Sequence, residues 1–336
     1  MFNGDLHGDW KWIPLVLLIG ALTFMFFDPL GMNASKITYV INPPPAPTPT
    51  PLPGGPVPPG PIPPGGGNPP PIAGFPTFQT TGPATAPTQV YTGPMIINQN
   101  GTTIENVIVR GCIQVIADNV TIRNSRFEAS CSGTPIIWHR EGTNLQVLNN
   151  ELIGLKSATA IPVAGVTCSS CTVQANNVRG TADGFNPNGT AQIIGNYIGQ
   201  LGGGILDGFA THNDGFQIAN GNGVVIRGNT IDTDCGVSRQ EAGGQGGCNT
   251  AVFFQPFCEG CAIGGATIEG NYFQRWNGPA ESVFFLIMVD GSTGVRVLNN
   301  TFGNVPGAYC VLRNGGTIVE WTGNRLENNT AVSRNC

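Results

Sequence analysis

The stretch Thr211-His212-Asn213-Asp214-Gly215-Phe216-Gln217-Ile218-Ala219-Asn220-Gly221, followed by Val224-Val225-Ile226-Arg227-Gly228-Asn229-Thr230-Ile231, decides how this chain is read. It holds two short apolar patterns separated by a Gly/Asn turn, with a polar cluster leading into the first. The second pattern recurs as Val120-Thr-Ile-Arg-Asn-Ser-Arg-Phe127, Leu145-Gln-Val-Leu-Asn-Asn-Glu-Leu152 and Cys171-Thr-Val-Gln-Ala-Asn-Asn-Val178. It returns in Ala191–Ile198, Ala266–Phe273 and Val295–Phe302, and more loosely in Thr317–Leu326. Each copy runs apolar, polar, apolar, then Asn or Gly, then Asn, with an apolar residue two positions later. Such alternation marks a strand with one buried face. The copies lie roughly 20 to 40 residues apart, the length of one coil of a solenoid.

An Asn recurs at this corner in Asn150, Asn176, Asn196, Asn229, Asn271, Asn300 and Asn324. Asn tolerates left-handed backbone and bonds its neighbours, so stacked coils are expected to align these side chains in a ladder. A helical solenoid would need a 3.6-residue period and few interior glycines, and the chain has neither. The expected fold is an all-β, right-handed single-stranded parallel β-helix.

On this repeat and on the His212-Asn213-Asp214-Gly215 stretch, residues 75–336 resemble the right-handed parallel β-helix proteins of the pectin-lyase-like superfamily. The opening Tyr91-Thr-Gly-Pro94 is similar to that of secreted bacterial members of unassigned activity. The resemblance implies the fold. For function it implies only a range, since the superfamily includes lyases, hydrolases, epimerases, phage adhesins and inert surface proteins.

The composition agrees with a solenoid: 49 Gly and 28 Pro in 336 residues, with only 10% charged. A net charge of −5 without a basic, aromatic-interleaved stripe argues against nucleic acid as a partner. The ten cysteines all fall between Cys112 and Cys336, an even number that reads as disulfides of an oxidising compartment. Chain order suggests Cys112–Cys131, Cys168–Cys171, Cys235–Cys248, Cys258–Cys261 and Cys310–Cys336, although spacing alone does not determine connectivity. Cys168-Ser-Ser-Cys171 and Cys258-Glu-Gly-Cys261 also have zinc-ligand spacing, but each pair precedes a repeat strand in a different coil, which favours turn staples.

Three segments are expected. Residues 1–36 contain the apolar run Ile13–Phe27, flanked by Trp10 and Trp12, and read as a membrane anchor through residues 10–30 or as a cleaved signal peptide. Residues 37–74 are a Pro/Gly-rich stalk, extended at roughly 3.1 Å per residue, with a ligand for a proline-binding module as the rival reading. Residues 75–336 are the β-helix domain, in which Phe75–Pro94 is expected to cap the open end and coils to begin near Met95. The C-terminal part is expected outside the cell, anchored or secreted.

Aligning the copies puts Thr134, Thr159, Asp183, Asp214 and Thr250 in one column ahead of the first strand of each coil. Asp183-Gly184-Phe185 and Asp214-Gly215-Phe216 would then stack their carboxylates about 5 Å apart. Two carboxylates so close share a proton or hold a cation, so calcium is the candidate cofactor; the bland alternative is Asp-Gly turn chemistry. His212 is a candidate acid/base group, whereas His139 is expected on the surface. Asn186, Gln217, Arg227 and Trp138 are candidate substrate contacts, with Phe253, Trp276 and Trp321 as further aromatics.

Asp214, Asp232 and Asp234 are similar to the acidic trio of polygalacturonases, but the Gly-His-Gly and Arg-x-Lys motifs of those hydrolases are absent. The lyases of this fold imply an Arg or Lys base beside calcium, which points to Arg227 or Arg239. The function expected is binding of a polysaccharide or cell-surface glycan, with lyase or hydrolase activity at Asp183, Asp214, His212, Asp234 and Arg239. The alternative is a noncatalytic surface or adhesion protein.

Overall fold

The computed structural model describes residues 73–155, 161–202, 205–206, 209–232, 247–256, 261–274, 285–303 and 310–334. Apart from the short antiparallel pair Ile205–Leu206 with Phe209–Ala210, they form parallel sheets, and no helix occurs among the described residues. Successive strands pass to three different sheets, so each strand pairs with its counterpart one coil later. Sheet I has nine strands from Ile96–Ile97 to Cys310–Gly315, and sheet II nine from Thr103–Glu105 to Ile318–Thr322. Sheet III has ten, from Gln89–Val90 to Arg325–Leu326. This is a parallel β-solenoid.

Period-two alternation fills its interior. Sheet I stacks Ile113, Ile137, Val166, Phe185, Phe216 and Val252 in register, all buried. Sheet II stacks Ile122, Val147, Val173, Ile193, Ile226, Ile268 and Val297, and sheet III carries Phe127, Leu152, Val178, Ile198, Ile231, Phe273 and Phe302. Each such side chain contributes about 1.5–3 kcal/mol by leaving water. The rings of Phe273 and Phe302 stack at 4.9 Å, and Trp321 continues the stack at 6.4 Å from Phe302.

The Asn ladder runs through the sheet II–sheet III corner. Each Oδ1 accepts the amide N–H of the matching residue one coil back, as in Asn229 Oδ1 with Asn196 N at 2.9 Å. Each Nδ2 donates to a carbonyl of the earlier coil, such as Asn229 to Ile193 O at 3.0 Å. All seven Asn take part, and the ladder ends on the Ser125 amide, which Asn150 Oδ1 accepts at 2.9 Å. The ladder residue itself is not left-handed. That conformation falls one position earlier, at Asn124, Asn149, Ala175, Gly195, Gly228, Gly270, Asn299 and Gly323. The repeat's Asn/Gly-Asn pair thus divides the work: the first residue turns the chain and the second bonds across coils.

The segment expected to cap the open end lies elsewhere. Residues 73–88 form a strap along the outer side of sheet III, with Phe75 on Tyr272 (5.2 Å) and Phe78 edge-on to Tyr197 (6.3 Å). Gly82 N–H donates to Ala175 O at 2.8 Å, and the strap ends as the strand Gln89–Val90 beside Val107–Ile108. The strap thus runs back from a late coil to the first, so pairing begins at Gln89 rather than near Met95. At the far end the tail folds over: Ala331 bridges Arg325 antiparallel, and Trp321 Nε1 donates to Val332 O at 2.8 Å.

Two expected disulfides are present, Cys112–Cys131 and Cys168–Cys171, which sets aside zinc at the second pair. Cys261 is also disulfide-bonded. Cys235, Cys258 and Cys336 and the side chains of Cys248 and Cys310 lie outside the described residues, as do the anchor run and nearly all of the stalk.

Candidate functional site

Asp183 and Asp214 stack as expected: Phe185 pairs with Phe216, which places the two acids two residues back in line. Asp183 opens its strand, Asp183–Asn188, and Asp214 lies within His212–Ile218, so neither is ahead of its strand. Thr250 follows Asp214 in register, and Ala164 precedes Asp183. The column therefore runs Ala164, Asp183, Asp214, Thr250. Thr134 is not aligned with it, because Val166 pairs with Ile137 and so brings Pro135 opposite Ala164; Thr159 lies outside the described residues.

The Asp-Gly pairs have a packing cause. A Cβ at Gly184 would lie 2.5 Å from Gly215 O and 2.7 Å from Ile198, and one at Gly215 would lie 2.5 Å from Ala251 O. Only glycine lets successive coils approach this closely. Beside it, Asp183 Oδ1 accepts the Asp214 N–H at 3.0 Å. Asp214 Oδ1 accepts the Thr250 N–H at 2.8 Å and the Thr250 hydroxyl at 2.5 Å. The acids form a second, shorter ladder.

Both acids are buried, Asp183 at 6% exposure and Asp214 at 0%. Burial raises the Asp183 pKa well above its ordinary value of 3.8, and the neighbouring Asp214 charge raises it further. The Asp214 N–H and the Asn186 side chain, which bond the ionised form, only partly offset this. The pair therefore favours holding a proton.

The Asn186 contact places Asp183 toward the outer side of sheet I. There Trp138, Thr167, Asn186, Gln217 and Phe253 form one register row. Trp138 to Gln217 are part-exposed, whereas Phe253 is buried. Arg140 lies over one face of Trp138 at 4.9 Å. His212 is exposed, two residues before Asp214 on the same strand. Sheet I thus carries Asp183, Asp214, His212, Asn186, Gln217 and Trp138, with Trp138 three strands from Gln217 along the row.

Other candidates fall elsewhere. Arg227 stands on sheet II, ion-paired to Glu269 at 3.0 Å, so it does not face the acids. Asp232 is buried on sheet III, where it accepts the Tyr197 hydroxyl at 3.2 Å. Asp234, Arg239 and Trp276 lie outside the described residues. His139 points inward rather than to the surface: it pairs with Val115, is 4% exposed, and its Nδ1 bonds Ser169 O at 2.9 Å. Its strand alternates from Ile137, so an inward Ile137 requires an inward His139.

Calcium takes about 6–8 oxygen ligands. Among the described residues no group of three or more acidic, His or Cys side chains gathers to hold a metal. The inner oxygens of the pair already accept backbone amides, so the donors among the described residues do not make a calcium cage. The sequence reading overlooked Asn213, fully buried with both side-chain polar atoms unpartnered next to Asp214. It also overlooked Thr167, which strand alternation could have placed outward.

Compared with protein-family models and with curated proteins, the chain matches none. The functional reading therefore rests on the site.

Proposed function

We propose that this protein recognises a polysaccharide along the outer face of sheet I, as an exported solenoid of the pectin-lyase-like type, and that Asp183 and Asp214 serve as its acid–base pair. The observation that carries this reading is the buried Asp183, biased toward its protonated form beside Asp214 and bonded to Asn186 in the outward row. A neutral carboxyl donates a proton to a glycosidic oxygen, and an ionised neighbour stabilises the positive charge that develops. Asn186 and Gln217 supply hydroxyl contacts, and the exposed His212 stands at the same edge. The two disulfides support export, with the apolar run through residues 10–30 as the anchor.

The second reading is a noncatalytic surface platform. It is favoured by the acid ladder itself, since both acids already serve backbone amides.

Asp183→Asn and Asp214→Asn separate the two, because an amide oxygen keeps each ladder acceptor. The full chain and both variants are incubated with acidic and neutral polysaccharides, with and without calcium. Binding, new reducing ends and unsaturated products are measured. Turnover lost in folded variants supports the acid–base role. Binding without turnover leaves a lectin-like face, and neither binding nor turnover leaves the platform.

A further inference from the structure

The two ends of the solenoid are finished differently. At the late end the tail folds over the last coil, where Ala331 bridges Arg325 and Trp321 Nε1 donates to Val332 O. At the early end Gln89–Val90, Ile96–Ile97 and Thr103–Glu105 are edge strands, each paired on one side only. The hydrogen bonds show which groups this leaves over. Gln114 N–H donates to Met95 O and Thr121 N–H to Thr102 O, while Tyr91 and Asn106 N–H donate to Ile108 O and Arg123 O. Backbone groups alternate in direction along a strand. Val90, Ile96, Thr103 and Glu105 therefore turn their N–H and C=O away from the second coil, and no described residue pairs with them there.

An edge of this kind is a template for another strand unless Lys, Pro or a covering segment blunts it. Residues 89–106 contain no Lys, and their one Pro, Pro94, lies between strands. Their single charge, Glu105, is held by Arg123 Nε at 2.6 Å. Three of the five exposed large apolar side chains among the described residues also gather here, Val90 at 46%, Met95 at 37% and Ile96 at 52%. The inward Ile97 and Ile104 are buried, so this end shows backbone edge rather than core.

The edge's shape selects its partner. A straight peptide meets one side of the coil and finds only two or three residues to pair with. The first coil of a second copy offers edges on all three sides at once. The covered late end is no match for it, so head-to-tail stacking into a filament is blocked and a closed, two-fold contact remains.

We propose that two copies of this chain join open end to open end, across a two-fold axis through Thr103–Glu105. Coils that face each other run in opposite senses, so all three pairs of edge strands meet antiparallel. Thr103 then lies opposite Glu105 of the second copy, which keeps the two Glu105 carboxylates apart. Ile96–Ile97 meets Gln89–Val90 of the second copy, so the exposed Ile96 and Val90 cover each other twice. The acid pair takes no part, and the contact stands apart from the polysaccharide reading.

The test follows the mass of the full-length protein by sedimentation in detergent over a range of concentrations. Every variant keeps residues 10–30, so association through that apolar run is common to all. A monomer–dimer equilibrium is expected. Ile96→Lys and Val90→Lys should each weaken it about tenfold or more, by setting a charge against an apolar side chain at both contacts. Ile96→Glu combined with Val90→Lys should restore it, because sheet I then meets sheet III with opposite charges. Val319→Lys, at 62% exposure near the late end, should leave it unchanged. In the wild type, amide exchange at Val90, Ile96, Thr103 and Glu105 should slow as concentration rises, a readout that needs no variant to fold. A monomer at every concentration overturns the proposal and leaves the edge to a strand from another protein. Association untouched by Ile96→Lys and Val90→Lys overturns it by locating the contact elsewhere. Growth beyond the dimer overturns the two-fold closure.

Discussion

Asn229 shows how one side chain secures two coils at once. Its Oδ1 accepts from Asn196 N and Nδ2, and its Nδ2 donates to Ile193 O. Asn229→Ala leaves an amide and a carbonyl buried without partners, so chemical denaturation should show a loss of about 2–5 kcal/mol. Two titratable residues act with opposite sign. His139 is buried and its pKa is lowered from 6.5, chiefly by desolvation. The unfolded chain therefore takes its proton first, and stability falls as pH drops below 6.5 toward the folded pKa. Asp183 is raised from 3.8, so its contribution is complete below that pH and is lost as pH rises toward its folded pKa. Unfolding measured across pH should therefore flatten on the acid side in His139→Gln and on the alkaline side in Asp183→Asn. An unchanged profile in either variant would refute that residue's part.

Among the elements, the strands of sheet I that carry Asp183 and Asp214 show why Asp is followed by Gly. Gly215→Ala puts a methyl against the Ala251 carbonyl and Ile231, where Cβ distances of 2.5 Å and 2.7 Å leave no room. Thermal unfolding should show a cost of about 1–3 kcal/mol from overpacking, whereas Gly228→Ala, whose added Cβ meets nothing, should pay only for its left-handed φ of 62°. Equal costs would mean that turn conformation, not coil approach, selects these glycines. The strap is an element of another kind. It has no repeat pattern, and its rings, a backbone bond to Ala175 and the Asn177 side-chain bond to Phe78 O hold it on the solenoid.

Over the whole molecule, each coil touches chiefly its neighbours, so stability is nearly a sum of local terms. Phe302 stacks on Phe273 and Trp321. Phe302→Ala should lower amide-exchange protection in the coils around Phe273 and Trp321 while leaving the coil of Val109 unchanged. Uniform loss of protection would show that the solenoid unfolds as one unit instead.

Much of this was legible in the chain because a solenoid repeats one short rule. Val225-Ile-Arg-Gly-Asn carries its own strand, turn and ladder residue, so the parallel stack, the seven ladder asparagines and the Asp183/Asp214 register follow from local pattern. Two cysteine pairs close in sequence were equally readable. What depended on long-range placement was not. Arg227 and Asp214 are close in sequence but stand on different sheets, because a corner separates them. The inward His139 and the strap's course across sheet III were likewise decided by packing between residues far apart in the chain. Burial then decided the chemistry: the sequence named two acids, but only their shared enclosure beneath the outer face of sheet I biases Asp183 toward holding its proton.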